Sequence, residues 1–89
     1  MIRKKIQVIN QLGLHARAAA KFVQLASRYE SEIIVSNNGK SVNGKSIMGV
    51  MMLAASNQSW IEIKIEGNDE EDAVESLINL INQRFGESV

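Results

Sequence analysis

The sequence contains no cysteine and no proline, and its aromatic residues are one tryptophan, one tyrosine and two phenylalanines. Without cysteine the chain can form no disulfide and offers no thiol, which fits a cytoplasmic protein. One histidine and no cysteine leave little material for a transition-metal site, and we predict neither a metal nor a cofactor. With so few aromatic rings, the core must consist mainly of Ile, Val, Leu, Ala and Met.

Net charge and long hydrophobic runs are also lacking. Ten basic residues balance ten acidic ones, which argues against a nucleic-acid binder, since such proteins present a basic surface. The longest run of apolar or glycine residues covers 47–55 and is too short to cross a bilayer. A chain of 89 residues can bury one modest core, and we therefore expect one domain over residues 1–89.

The spacing of apolar residues predicts four strands and three helices. Period-two alternation favours strands, whereas apolar residues three or four positions apart favour helices. The predicted elements are a strand at 2–9, a helix at 16–29, strands at 32–36 and 40–43, a helix at 47–53, a strand at 60–66 and a helix from about 69 to 85. The order β-α-β-β-α-β-α predicts an α+β fold, an open-faced sandwich whose four-stranded antiparallel sheet is covered on one face by helices.

Two helix starts carry capping signals. Ser46 precedes the second helix and is a suitable N-cap. Asn68 with Glu71 resembles a capping box for the third helix. Gly86 follows the apolar stripe of that helix and predicts its end.

The single histidine lies where a loop enters the first predicted helix. Gly13 and Leu14 precede His15, and Arg17 follows two residues later. The first N–H groups of a helix lack intrahelical partners and lie at the positive end of its dipole, so that they favour anions. Arg17 adds a permanent cation whose fork suits phosphate oxygens. His15 is therefore a candidate nucleophile for phosphoryl transfer without a metal.

Other interpretations of the same residues stay open at this point. A lone histidine at a helix start is most often a solvated surface residue or a cap, and the chain could be a small ligand-binding α+β domain. A hydrolase is less favoured, because no acidic residue lies beside His15 or Ser46 in the sequence. The glycines do not have the spacing of a nucleotide-binding loop.

Two segments resemble the signatures of one known family. Residues 13–17, Gly-Leu-His-Ala-Arg, followed by alanines, resemble the active-site segment of HPr, the phosphocarrier family of the bacterial phosphoenolpyruvate-dependent sugar phosphotransferase system. Residues 43–49 resemble that family's second signature, around its regulatory serine. The resemblance covers essentially the whole chain and implies an open-faced β-sandwich.

The resemblance also implies roles for individual residues and partners. His15 would accept a phosphoryl group on Nδ1 from phospho-enzyme I and pass it to the A domain of an enzyme II, with Arg17 as the assisting cation. Ser46 would be the target of an HPr kinase/phosphorylase. The protein would be a phosphorylated carrier rather than a turnover enzyme, and we expect a cytoplasmic monomer.

One position departs from the family pattern, which usually has proline after the arginine. This chain has Ala18 there. Proline is tolerated in a first helical turn because its missing N–H would be unpaired anyway, and alanine restores that donor without strain. We therefore expect the site to remain functional, and we expect any effect of the substitution to fall on loop rigidity or phosphohistidine lifetime.

A surface for partner proteins is predicted around the second helix, which is apolar on almost every side. Flexible methionines suit a surface that meets several partners in turn. We call the following residues, which Arg17 borders, the docking patch: Lys21, Gln24, Lys45, Ile47, Met48 and Met51.

A second function within the same family is a regulatory or nitrogen-branch paralogue that acts mainly as a binding module controlled at Ser46. A purely regulatory relative would be expected to lack the active histidine, so His15 and Arg17 argue against that alternative. The sequence does not name a sugar, because specificity lies in the enzyme II proteins.

Overall fold

The computed structural model describes all residues, 1–89, and contains four strands, three α-helices and a final 3₁₀ turn. In chain order the elements are β1 Ile2–Gln7, α1 Ala16–Ala26, β2 Glu32–Asn37, β3 Lys40–Asn43, α2 Ile47–Met52, β4 Trp60–Glu66, α3 Glu70–Asn82 and the 3₁₀ turn Arg84–Gly86. The predicted element order is confirmed.

The four strands form one antiparallel sheet in the order β1-β4-β2-β3. The isoleucines of β4 set its register, with Ile61 opposite Ile6 and Ile65 opposite both Ile2 and Ile33. Because side chains alternate along a strand, this register directs all the β4 isoleucines to one face. The other face carries Trp60 and polar residues and has no helix over it.

The core lies between this apolar sheet face and the helices. Phe22 of α1, Val50 of α2 and Leu77 of α3 are almost completely buried against the sheet isoleucines. The fold is thus the predicted α+β open-faced sandwich, with a four-stranded antiparallel sheet covered on one face. No helix in it has both the length and the apolar character needed to cross a membrane.

Helices α1 and α2 run antiparallel, and this decides which residues lie near His15. At one end, the Leu14 N–H, just before α1, donates to the Ala55 carbonyl, just after α2, at 2.8 Å. At the other end, Lys45 Nζ donates to the Tyr29 carbonyl at 2.7 Å. The C-terminal end of α2 therefore lies beside the start of α1, while the N-terminal end of α2 lies beside the end of α1.

Some predicted boundaries differ from the structure. Strand β1 ends at Gln7 rather than residue 9, α1 ends at Ala26 rather than residue 29, and α3 ends at Asn82 rather than near Phe85. Phe85 still packs in the core, but it does so from the 3₁₀ turn with a left-handed φ of 55°. The apolar periodicity identified its burial but could not reveal the change of backbone conformation.

The predicted capping box of Asn68 and Glu71 is wrong. Asp69 occupies the N-cap position of α3, and its side chain makes no capping hydrogen bond. Its carboxylate instead accepts hydrogen bonds from the backbone N–H groups of Glu30 and Ser31, at 2.8 and 3.0 Å, and from the Ser31 hydroxyl. A tertiary link between the α1–β2 loop and α3 thus replaces the local cap.

Candidate functional site at His15

The loop before His15 is held in place by a glycine that no other residue can replace without strain. Gly13 has a φ of +67°, and a Cβ there would lie 2.4 Å from the Ala55 carbonyl oxygen. The Gly13 carbonyl accepts a hydrogen bond from the buried Asn10 side chain at 2.8 Å. The loop is therefore fixed on both sides, and it delivers His15 to the start of α1 in a defined position.

His15 is the N-cap of α1, with extended backbone angles, and its own carbonyl accepts the first helical hydrogen bond, from the Ala19 N–H, at 2.8 Å. Its Nδ1 accepts from the Arg17 backbone N–H at 3.3 Å. An atom that accepts from an N–H carries a lone pair and no proton, so Nδ1 is the unprotonated ring nitrogen. The nucleophilic atom of the predicted reaction therefore lies at the helix start.

The other ring nitrogen contacts a residue from the far end of the chain. His15 Nε2 pairs with the Glu87 carboxylate, whose second oxygen accepts from Asn10 Nδ2 at 2.9 Å. The hydrogen bond from Asn10 holds the pKa of Glu87 below its ordinary value; the hydrogen bond and charge of His15 and the charge of Arg17 act in the same direction, while burial opposes them. Glu87 is therefore a carboxylate near neutral pH.

Neither Glu87 nor Asn10 was predicted as a site residue. No sequence signal connects Glu87 with His15, because their separation of 72 residues is closed only by the backbone turn after α3. Asn10 could have been suspected from its place in the glycine loop, but its burial becomes visible only in the fold.

Arg17 lies on the solvent side of α1, and its guanidinium forms no ion pair or hydrogen bond within the chain. The backbone N–H of Ala18, in the same first turn, also has no acceptor. One permanent cation and one helix-start donor are thus available beside His15, as the sequence predicts for an anion site.

Ser46 does not join this group. Its hydroxyl caps α2 by accepting from the Gly49 N–H at 3.1 Å, which confirms the predicted cap. Ser46 lies at the N-terminal end of α2, whereas the C-terminal end of that helix leads to Ala55 beside the loop that carries His15. Ser46 and His15 share no hydrogen bond.

The apolar members of the docking patch are exposed, with Met48 73% accessible and Ile47 and Met51 each 42% accessible. Sequence reasoning missed two further exposed apolar residues, Met52 on α2 and Leu12 in the loop before His15, which are 62% and 67% accessible. An unbroken apolar run gives no sign of which members stay exposed, and this explains the omission of Met52. Leu12 stands alone between Gln11 and Gly13, and no sequence pattern marks it as part of this surface.

The polar members of the docking patch have different surroundings. Gln24 is exposed on α1. Lys21 donates to the Phe85 carbonyl at 2.6 Å and so holds the C-terminal turn, whereas Lys45 is bound to the Tyr29 carbonyl at the opposite end of α1. The structure therefore separates the two lysines along the helix pair.

No concave pocket encloses His15. The two surface depressions of the fold lie along the uncovered sheet face near Trp60 and at the start of α3. No three His, Asp or Glu side chains gather where they could hold a metal ion. A small substrate is normally enclosed by a pocket, so the unenclosed His15 side chain, 27% of which is accessible, suits contact with another protein surface.

These features define a small α+β domain with a solvent-accessible histidine at the start of its first helix. The chain matches the family profile described as "PTS HPr component phosphorylation site" over residues 2–83. The chain therefore belongs to the HPr family of phosphocarrier proteins.

Individual relatives cover almost the whole chain. Phosphocarrier protein HPr of Neisseria meningitidis serogroup A is 53% identical over 87 residues, which is 98% of each chain. The crystal structure of HPr-C-His from Thermoanaerobacter tengcongensis matches with a TM-score of 0.96, 46% identity and full coverage of both chains. Crh of Bacillus subtilis, described as a catabolite repression protein and a domain-swapped dimer, matches with a TM-score of 0.75 and 40% identity over 94% of this chain and 97% of its own.

Proposed function

We propose that this protein is a cytoplasmic phosphocarrier that accepts a phosphoryl group on His15 Nδ1 from phospho-enzyme I and passes it to the A domain of an enzyme II. The observation that carries the proposal is the position of Nδ1 at the start of α1, where it accepts from the Arg17 N–H. Membership of the HPr family supplies the reaction class.

The proposed reaction needs little from the protein except position and charge compensation. The Nδ1 lone pair attacks the phosphorus of the donor phosphohistidine, and the electron pair of the broken P–N bond returns to the donor ring. The phosphoryl oxygens would then face the N–H groups at the start of α1 and the free guanidinium of Arg17. Because His15 is not enclosed, the same atom can be presented in turn to a donor and to an acceptor protein.

The primary experiment is phosphorylation with phosphoenolpyruvate, magnesium and enzyme I, followed by a test for acid-labile, alkali-stable phosphate. The matched control is His15→Asn, because asparagine is also a good N-cap and the helix start should survive. We expect label on the wild type and none on a folded His15→Asn protein. An unlabelled wild type, or an equally labelled variant, would contradict the proposal.

We also propose that Ser46 is a regulatory phosphorylation target of an HPr kinase/phosphorylase. A phosphate there would add about −1.5 to −2 charges at the start of α2, where the helix dipole favours an anion. Ser46 lies at the end of α2 away from the loop that carries His15, and the charge would be added beside the exposed apolar side chains of that helix. We therefore propose that the phosphate acts mainly on proteins that bind next to α2.

A Ser46→Asp variant tests this regulatory role, because aspartate keeps the cap and adds a charge. We expect a folded protein whose phosphorylation by enzyme I is slower mainly through a higher KM. Loss of the fold, or unchanged kinetics, would count against the role of Ser46.

The docking patch, with Met52 and Leu12 added, is the surface that we propose for enzyme I and enzyme II. The antiparallel helices support this proposal, because exposed apolar side chains of α2 extend from Ser46 towards the loop that carries His15. A partner that covers this surface would contact both the regulatory serine and the reacting histidine. We propose that the carrier acts as a monomer.

A further inference from the structure

The C-terminal segment returns to the site because three successive residues have left-handed backbone angles. After α3 ends, Arg84, Phe85 and Gly86 have φ values of 56°, 55° and 80°. Phe85 is completely buried, and its carbonyl is held by Lys21 of α1. The turn is thus anchored on both sides, and the next residue, Glu87, lies against His15.

The Glu87 carboxylate has a fixed orientation. Asn10, which is completely buried, donates from one Nδ2 group both to the Gly13 carbonyl and to Glu87 Oε1. The other carboxylate oxygen pairs with His15 Nε2. Asn10 and His15, at the two ends of one loop, therefore hold the Glu87 side chain. Glu87 has this fixed position although it lies outside any helix or strand.

We propose that Glu87 is a positioning residue for phosphoryl transfer at His15, which keeps the proton on Nε2 and becomes the counter-ion of the ring once Nδ1 is phosphorylated. This inference rests on the proposed phosphocarrier function. Its independent support is geometric: Nδ1 accepts from one neighbour while Nε2 faces a carboxylate, so only one neutral tautomer satisfies both contacts.

The charges that change during the reaction explain why a carboxylate beside Nε2 would be useful. When the Nδ1 lone pair forms a bond to phosphorus, the Nε2 proton stays in place and no base is needed. The product ring is substituted on both nitrogens and carries a positive charge, which lies next to Glu87. When the group leaves for an acceptor, the P–N electron pair returns to Nδ1 and a neutral imidazole is released.

The other charges around the ring do not cancel this effect. The phosphoryl group would repel Glu87, but it would be bonded to Nδ1, on the opposite side of the ring. The Nε2 proton is in direct contact with Glu87. Because Coulomb energy falls with distance, the attraction to the protonated ring outweighs this repulsion. Arg17 is exposed at the helix start, where it can compensate the phosphoryl charge, and its positive charge also helps to keep Glu87 ionised. Lys21 is occupied by the Phe85 carbonyl.

The test compares Glu87→Gln with Glu75→Gln, which removes one carboxylate from an exposed position on α3. Each protein is phosphorylated in two ways, by enzyme I and by phosphoramidate, a small chemical donor.

The pH at which phosphorylated His15 loses its Nε2 proton is then measured by ¹⁵N NMR of the ring. We expect Glu87→Gln to lower this midpoint by about one pH unit, because a carboxylate in contact stabilises the charged ring. Glu75→Gln should match the wild type.

Equal midpoints in Glu87→Gln and the wild type, with the fold intact by amide NMR, would overturn the role of Glu87. Wild-type protein that phosphoramidate labels on His15 but enzyme I does not would contradict the proposed function instead. In that case the chemically phosphorylated proteins still decide the role of Glu87, so the two failures can be told apart.

Discussion

At the scale of single residues, the two ring nitrogens of His15 have different environments. Nδ1 faces the start of α1, while Nε2 faces a carboxylate that Asn10 orients. The helix start supplies donors for an anion, and the carboxylate supplies a partner for a proton. One imidazole can therefore act as a nucleophile on one side while it remains protonated on the other.

Substitution of Ala18, the third residue of α1, tests whether the site at the helix start depends on the residue at this position. Its N–H has no acceptor, so a proline there loses no hydrogen bond and finds a suitable φ. We expect Ala18→Pro to change the free energy of unfolding by less than about 1 kcal/mol. The rate of phosphorylation by enzyme I should stay within about threefold of the wild type. Denaturant titration and single-turnover kinetics measure both, and a hundredfold faster transfer would show that this position had been misjudged.

At the scale of elements, the short helix α2 connects the two positions for which we propose a function, Ser46 and the loop that carries His15. Ser46 caps its first turn, and its last turn leads to Ala55, which holds the loop before His15. Its outer side stays apolar and exposed although the sheet needs only its inner side. An element of this kind fits a surface that is covered only when a partner binds.

Met48, the most exposed of the three apolar residues first assigned to the docking patch, provides the test of that surface. We expect Met48→Glu to weaken enzyme I binding by at least about tenfold, because a charge would be buried in an apolar contact. The melting temperature should change by less than about 2 °C, since most of the side chain is exposed to solvent in the free protein. Trp60→Glu, on the uncovered sheet face, is the matched control. Equal enzyme I affinities of Met48→Glu and wild type in calorimetry would exclude this surface.

Helix α3 is held to the rest of the fold through Asp69. The Ser31 hydroxyl, followed by the Glu30 N–H, holds the pKa of Asp69 below its ordinary value, against a smaller opposing effect of burial. A carboxyl whose pKa is lower in the folded than in the unfolded protein stabilises the fold above its unfolded pKa and loses that effect as pH falls through the folded pKa.

A comparison of Asp69→Asn with the wild type should show this dependence. We expect the variant to melt at a lower temperature near pH 7 and the difference to shrink as pH falls below about 4. Asp72→Asn, an exposed change in the same helical turn, is the control and should follow the wild type. A pH-independent difference for Asp69→Asn would refute the role of its ionised form.

At the scale of the whole molecule, local patterns predicted the sheet, the helices and His15 because each depends on neighbouring residues. The alternation around Ile63 and the cap at Ser46 are examples. The position of Glu87 could not be predicted, since it depends on a turn through Arg84 and Phe85 that carries no glycine signal before Gly86. Asp69 was misjudged for a related reason: its tertiary partners Glu30 and Ser31 compete successfully with a local cap.

The whole fold leaves His15 partly accessible at the surface, and this agrees with a carrier that must give up its phosphoryl group. The histidine lies at an edge between α1, the loop before it and the C-terminal turn, without a lid over it. Burial of the histidine would protect the phosphoryl group but would also block its transfer to a second protein.

The most direct test of the carrier role is the second transfer. Protein labelled on His15 through enzyme I is freed of that enzyme and mixed with an equimolar A domain of an enzyme II, and the label on each chain is followed with time. We predict that label moves from this protein to the A domain and that the recovered protein can be labelled again. Label that stays on His15, or that appears only as inorganic phosphate, would contradict the proposal that this chain is a phosphocarrier.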